Sequence, residues 1–222
     1  MMKIVNRGGV LRLNLSGDVG VPGGIDAKAV IDAVSRGGHS SIHATLNSSG
    51  GSVTEGFAIY NVIARYAGPT TVVIDGVAAS MASVIAMAFK RIIMPSNSWV
   101  MIHDPSGSVA GNADDLRRYA DLIDRMRAQI ISAYAKRTKH PAGDIEAMMA
   151  KETWLSAEDA VRLGFADELE AAVAIAAIDL SRFKSAPKIA TGPAALIDAK
   201  TNTLNVAAIY EKWNSPRGKA TG

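Results

Sequence analysis

Apolar and polar residues alternate from Val10 to Leu15. Leu11, Leu13 and Leu15 fall on one side, with Val10, Arg12 and Asn14 on the other, so the pattern predicts a half-buried strand. Gly17 to Gly24 reads as a loop, and Asp26 caps a helix whose Ala27, Val30, Ile31 and Val34 share one face. Gly37-Gly38 ends that helix, and Ser41 to Leu46 reads as a second strand. Ser52 and Glu55 have capping-box spacing, so a helix starts at Val53, buries Ala58, Ile59, Val62, Ile63 and Tyr66, and stops at Pro69. Thr70 to Ile74 is a β-branched strand, followed by a predicted turn at Asp75-Gly76-Val77 and a small-residue helix to Phe89. Two short strands, Arg91 to Met94 and Trp99 to His103, flank the turn Pro95 to Ser98. Asn112 caps a long helix to about Arg137, with Leu116, Tyr119, Ile123, Met126, Ile130 and Ala133 as its apolar stripe. Asp144 to Lys151 and a segment capped by Ser156 and closed by Gly164 supply two more helices. The strand–helix rhythm predicts an α/β architecture with parallel pairing.

After Ser181 the periodicity fades. We therefore expect a first domain at 1–181 and a linker and tail at 182–222, with a short helix over Leu204 to Trp213 and disorder from Asn214 to Gly222.

Composition narrows the function classes. Aromatics make up 5% of 222 residues, so the core is built from Ala, Val, Ile, Leu and Met. The net charge is +3, with no dense basic block interleaved with aromatics, which argues against nucleic-acid binding. The absence of cysteine excludes disulfides, a thiolate nucleophile and cysteine-ligated metal, and fits a cytoplasmic location. The N-terminus breaks into charge and Gly8-Gly9 before a signal-peptide core forms. The most apolar window, Val84 to Met94, carries Lys90 and Arg91 and is shorter than the ~20 residues a bilayer needs, so no membrane partner is expected.

Ser80 stands where a strand and tight turn enter a helix, among Gly76, Ala78, Ala79 and Ala82. Small neighbours admit a substrate backbone, and a helix start offers free N–H groups for an oxyanion. Taken alone, such a serine reads as an ordinary cap. Gly50-Gly51 before a capped helix fits an oxyanion hole or a phosphate cradle as well as a plain tight turn, and two glycines alone are a weak signal. His103 lies at the end of Trp99-Val100-Met101-Ile102, where binding residues of α/β sheets gather, and has the chemistry of a general base. Asp104 points away from His103 in an extended chain. Glu152, Asp144 and Asp167 are the candidate acids. No spacing typical of a metal site occurs, so no metal or cofactor is expected.

Four ordered segments resemble the ClpP peptidases: Asn47 to Val53, Gly76 to Ser83, Pro95 to Pro105, and Trp154 to Asp167. The resemblance runs from Val10 to Leu169. It implies a ClpP/crotonase-like spiral of β-β-α units with a protruding handle helix near Asn112 to Arg137. It also implies a serine endopeptidase with Ser80 as nucleophile, His103 as base, and Gly51 and Met81 N–H groups as oxyanion hole. Glu152 then occupies the position of the family's acid, an aspartate in most relatives. The implied partners are protein or peptide substrates and further copies of the chain in a ring or stacked rings. Segments after Ser108 resemble the family's peptide-pairing strand. Ser49 stands where many relatives carry proline, the N-terminal segment is short, and the tail lies outside the usual peptidase. These departures resemble phage head-maturation proteases, which implies capsid or scaffold substrates. The alternatives are a degradative subunit fed by an ATP-driven unfoldase, a crotonase-like acyl-CoA enzyme, and an inactive structural ring protein.

Overall fold

The structure is a computed structural model that describes residues 2–173 and 177–187. Two strands open the chain, β1 (Lys3–Arg7) and β2 (Val10–Ser16), joined through Gly8-Gly9 as an antiparallel hairpin. The periodicity did not reveal β1, because four of its five residues are exposed and it has no apolar face. Strand β2 matches its alternation, with Leu11, Leu13 and Leu15 almost fully buried.

Helix α1 (Ala27–Arg36) follows, its Asp26 cap accepting from the Ala29 amide at 3.1 Å. Then come β3 (Ser41–Ser48), α2 (Val53–Ala64), β4 (Thr70–Ala79) and α3 (Met81–Ala86). Strands β5 (Arg91–Pro95) and β6 (Trp99–Ile102) precede the long α4 (Ala113–Thr138). The described residues close with α5 (Ala142–Ala150), β7 (Thr153–Ser156), α6 (Ala157–Arg162) and β8 (Glu168–Glu170). The expected helix at Leu204 to Trp213 and the tail beyond it lie outside the described residues.

One sheet runs β1-β2-β3-β4-β5-β8, parallel after the first hairpin. Strand β4 gives the sheet its second branch. Thr71 to Val73 pair with β5, whereas Val77 to Ala79 pair with β6, also in parallel. Here the sequence reading is corrected. Asp75-Gly76-Val77 is strand, not turn, because β4 continues past β5 and finds a new ladder partner in β6. Strand β7 then adds antiparallel to β6, with Ile102 opposite Thr153.

The core is aliphatic, built from Ile42, Leu46, Ile74, Ile85, Ile92 and their neighbours, and is capped by Tyr134, Phe89 and Phe165. Only the C-terminal part of α4 joins it, through Ile130, Ala133 and Tyr134. Its first turns project outward with Leu116 and Leu122 exposed, although the stripe predicted burial at Leu116. The segment after Ser108, which resembles a peptide-pairing strand, forms no strand before α4, since it has no ladder neighbour among the described residues. No helix among the described residues is long and apolar enough to cross a membrane.

Candidate active site

Parallel pairing of β4 with β6 assembles the site. Ala79 is level with Met101, so Ser80 and His103 leave the ends of adjacent strands on the same edge. The His103 Nε2 lies 2.7 Å from the Ser80 hydroxyl oxygen, a full hydrogen bond. Twenty-three residues of sequence separate them, and only the sheet brings them together.

Ser80 sits on a strained turn. Its φ is 53° with ψ −127°, a conformation costly for any residue but glycine. The surrounding bonds impose it. The Ser80 amide donates to the Met101 carbonyl at 2.9 Å. The Ser83 hydroxyl lies 2.6 Å from the Ser80 carbonyl oxygen, 2.9 Å from that of Met101 and 2.7 Å from the Tyr134 hydroxyl. Both carbonyls only accept, so Ser83 donates to one of them while the Tyr134 hydroxyl donates to Ser83. Burial pushes the Tyr134 phenol far above its ordinary range and keeps that donor protonated.

The Gly50-Gly51 turn packs directly against this elbow. Gly50 has φ +99°, and a Cβ there would meet the Ser80 Cβ at 2.7 Å and the Met81 nitrogen at 3.0 Å. Gly51, at φ +139°, is held by a bridge to Val19. The turn therefore lies beside the first amide of α3, at Met81, whose N–H has no acceptor within the helix.

Glu152 is brought opposite His103 by the β6–β7 ladder, one residue beyond the Ile102–Thr153 pair. It acts on the imidazole as a charge and not as a hydrogen-bond partner. Its carboxylate accepts from the Ser185 amide at 2.7 Å, the Ser185 hydroxyl at 2.8 Å, the Lys184 amide at 3.2 Å and the Trp154 indole at 3.4 Å. Burial pushes the Glu152 carboxyl up, but these bonds outweigh it and hold it below the usual range. His103 is also lowered, which for an imidazole favours the neutral form. Burial lowers its pKa, the Glu152 charge opposes that, and Arg182 adds to the lowering.

The other acids are engaged elsewhere. Asp104 accepts from Arg127 on α4 at 2.7 Å, and Asp167 accepts from the Ile92 amide and Arg137. Asp144 is exposed in the first turn of α5.

Four residues that sequence reading did not single out also shape the site. Tyr134 neighbours the predicted stripe but is not part of it. Arg182, Phe183 and Ser185 fall beyond the expected domain boundary, in a stretch without periodicity. Phe183 is buried and meets the His103 ring edge-on at 5.6 Å. No motif marks these positions, since their role comes from the fold returning the chain over the cleft.

A hydroxyl bonded to an imidazole held mostly neutral by burial, at a strained elbow beside the Met81 amide and the glycine turn, is suited to nucleophilic attack on a carbonyl. Comparison with known proteins agrees in family. The ATP-dependent Clp protease proteolytic subunit 1 of Chlamydia pneumoniae is 38% identical over 127 residues, covering 55% of this chain and 66% of the relative. The equivalent subunits of Chlamydia muridarum and Chlamydia trachomatis are each 37% identical over the same length. The chain thus spans slightly under two thirds of the length of these curated relatives. The family model for Clp protease matches residues 31–172, more than half of the 222, and takes in the elbow, the glycine turn, His103 and Glu152; the chain belongs to the Clp protease family.

Proposed function

We propose that the protein is a serine endopeptidase in which Ser80, His103 and Glu152 act as nucleophile, base and acid. The observation that carries the reading is the 2.7 Å bond between His103 Nε2 and the Ser80 hydroxyl at the strained elbow. His103 takes the Ser80 proton as the oxygen attacks a peptide carbonyl. The negative charge that develops is met by the Gly51 and Met81 amides, a contribution of about 3–4 kcal/mol per donor in comparable sites. His103 then protonates the leaving amine, and water, deprotonated by the same imidazole, releases the acyl group. Glu152 offsets the positive charge on the imidazolium.

The working unit in this reading is a homo-oligomeric ring, supported by the exposed leucines on the projecting half of α4. Its substrates are proteins or peptides. We assign it to processing of capsid or scaffold proteins during phage head maturation, on the strength of Ser49, which stands where many relatives carry proline. A second reading follows from the printed names of the relatives, which are subunits of ATP-dependent proteases. In that case an unfoldase feeds the site.

The test is labelling of Ser80 by a fluorophosphonate, together with hydrolysis of fluorogenic peptides. Ser80→Ala should remove both, with a loss of at least a thousandfold in kcat/KM. Unchanged hydrolysis in Ser80→Ala would overturn the assignment. Cleavage of purified scaffold protein without ATP supports head maturation, and cleavage only with an ATP-driven unfoldase supports the second reading.

A further inference from the structure

The reacting groups are covered by the chain's own C-terminal segment, which is held at three points. The Arg182 guanidinium donates to the Ser49 carbonyl, lies 2.8 Å from the Ser49 hydroxyl and faces the Asp18 carboxylate at 3.5 Å. The Ser49 hydroxyl itself donates to Asp18, which orients that carboxylate. Phe183, 8% exposed, sits edge-on to His103 and to Trp154 at 5.6 and 5.7 Å and packs with Val77, Ala79 and Met101. The Lys184 and Ser185 amides then take the Glu152 carboxylate.

Ahead of the first anchor, at Ala177 to Asp179, the contact is loose. A polar cavity of about 320 Å³ remains beside Arg182, bordered by Gly17, Asp18, Asn47 and Ser49. The segment is pinned by one cation, one ring and a pair of amides. Those are groups any extended peptide with a basic residue followed by an aromatic one would present.

We propose that this cleft is a recognition site for a basic–aromatic residue pair, with Asp18 and Ser49 selecting the basic side chain and Arg182–Phe183 as resident occupant. The segment thereby competes with substrate in cis. This rests on Ser80 being the nucleophile. A charge-assisted guanidinium–carboxylate contact gives direction and selectivity. Because the occupant is covalently part of the chain, its local concentration is on the order of millimolar. A substrate therefore enters only when it displaces the pair or when the segment is drawn away.

The experiment uses the full chain and reads the rate of Ser80 labelling by a fluorophosphonate. Arg182→Ala, an exposed residue, and the double variant Arg182→Ala/Phe183→Ala should label faster than the unaltered protein, the double variant by about tenfold or more. A synthetic peptide spanning Asp179 to Pro187 should slow labelling of the double variant, and the same peptide with alanine at both places should not. Adding Asp18→Asn to the double variant should weaken the peptide's effect by about tenfold, the loss of one charge-assisted contact. Circular dichroism of each variant verifies folding, and Arg182→Ala alone decides the matter where the double variant does not fold. Equal labelling rates in the unaltered protein and Arg182→Ala, with no competition by the peptide, overturn the proposal and leave Ser80 as nucleophile. Absence of labelling in every protein overturns the Ser80 reading instead.

Discussion

At Ser80 and His103 the chemistry depends on a balance of local fields. Burial holds His103 below the ordinary imidazole value of about 6.5, so the neutral base persists into mildly acidic solution. The acid limb of kcat/KM should therefore lie below pH 6.5. Because the folded state disfavours the charged ring, its contribution to stability is present above pH ~6.5 and is lost as pH falls through the lowered value. Glu152→Gln removes a charge that raises the His103 pKa. The limb should move to lower pH, and kcat should fall by about five- to thirtyfold, the effect of 1–2 kcal/mol of lost charge compensation. A pH profile of peptide hydrolysis measures both, and an unmoved limb would show that Glu152 does not act on the imidazole. Gly50 is the second sensitive position. Gly50→Ala demands a left-handed backbone and forces a methyl against the Ser80 Cβ. Strain of about 1–3 kcal/mol is expected, with activity falling at least tenfold as the turn is pushed from the elbow. Thermal unfolding and peptide hydrolysis separate the two effects.

At the scale of elements, one helix reaches the elbow. Tyr134 on α4 bonds Ser83, and Ser83 holds the Ser80 carbonyl, so the position of α4 is tied to the strain that presents the nucleophile. Tyr134→Phe deletes that donor in a buried site. Stability should fall by about 1–2 kcal/mol, and kcat should drop several-fold while KM stays near its starting value. Chemical denaturation and steady-state kinetics test this, and an unchanged kcat in Tyr134→Phe would argue against it. The same helix is anchored near its middle, where Arg127 bridges Asp104 and Glu146. The chain leaving His103 is thereby fixed to α4 one residue after the base.

For the whole molecule, the projecting half of α4 leaves Leu116 and Leu122 at 48% and 45% exposure, with no element among the described residues covering them. Burying the exposed half of two leucines is worth about 1.5–3 kcal/mol, enough to contribute to assembly. The double substitution Leu116→Asp/Leu122→Asp should shift the protein to smaller species in sedimentation velocity. If ring contacts hold α4 in place, Ser80 labelling should slow in parallel. An unchanged sedimentation profile would place the subunit contacts elsewhere.

Local order along the chain determined much of this protein. The leucine alternation of β2, the Asp26, Ser52, Asn112 and Ser156 caps, and the glycine stops set strands and helices whose partners lie within a few residues. Ser80, the Gly50-Gly51 turn and His103 left local marks in small residues, a helix start and a strand end, but those marks also fit an ordinary cap, turn and strand end; only the resemblance of the four segments gave roles to them, to Met81 and to Glu152. What lies between distant segments had no such mark. The branching of β4 from β5 to β6 turned an apparent loop into strand, and the β6–β7 ladder placed Glu152 across from His103. The return of Arg182 and Phe183 over the cleft decided which groups the carboxylate meets. Helix and cap signals are written in neighbouring residues, whereas strand exchange and cleft occupancy come from side chains far apart in sequence competing for the same buried space, and only the assembled fold settles that competition.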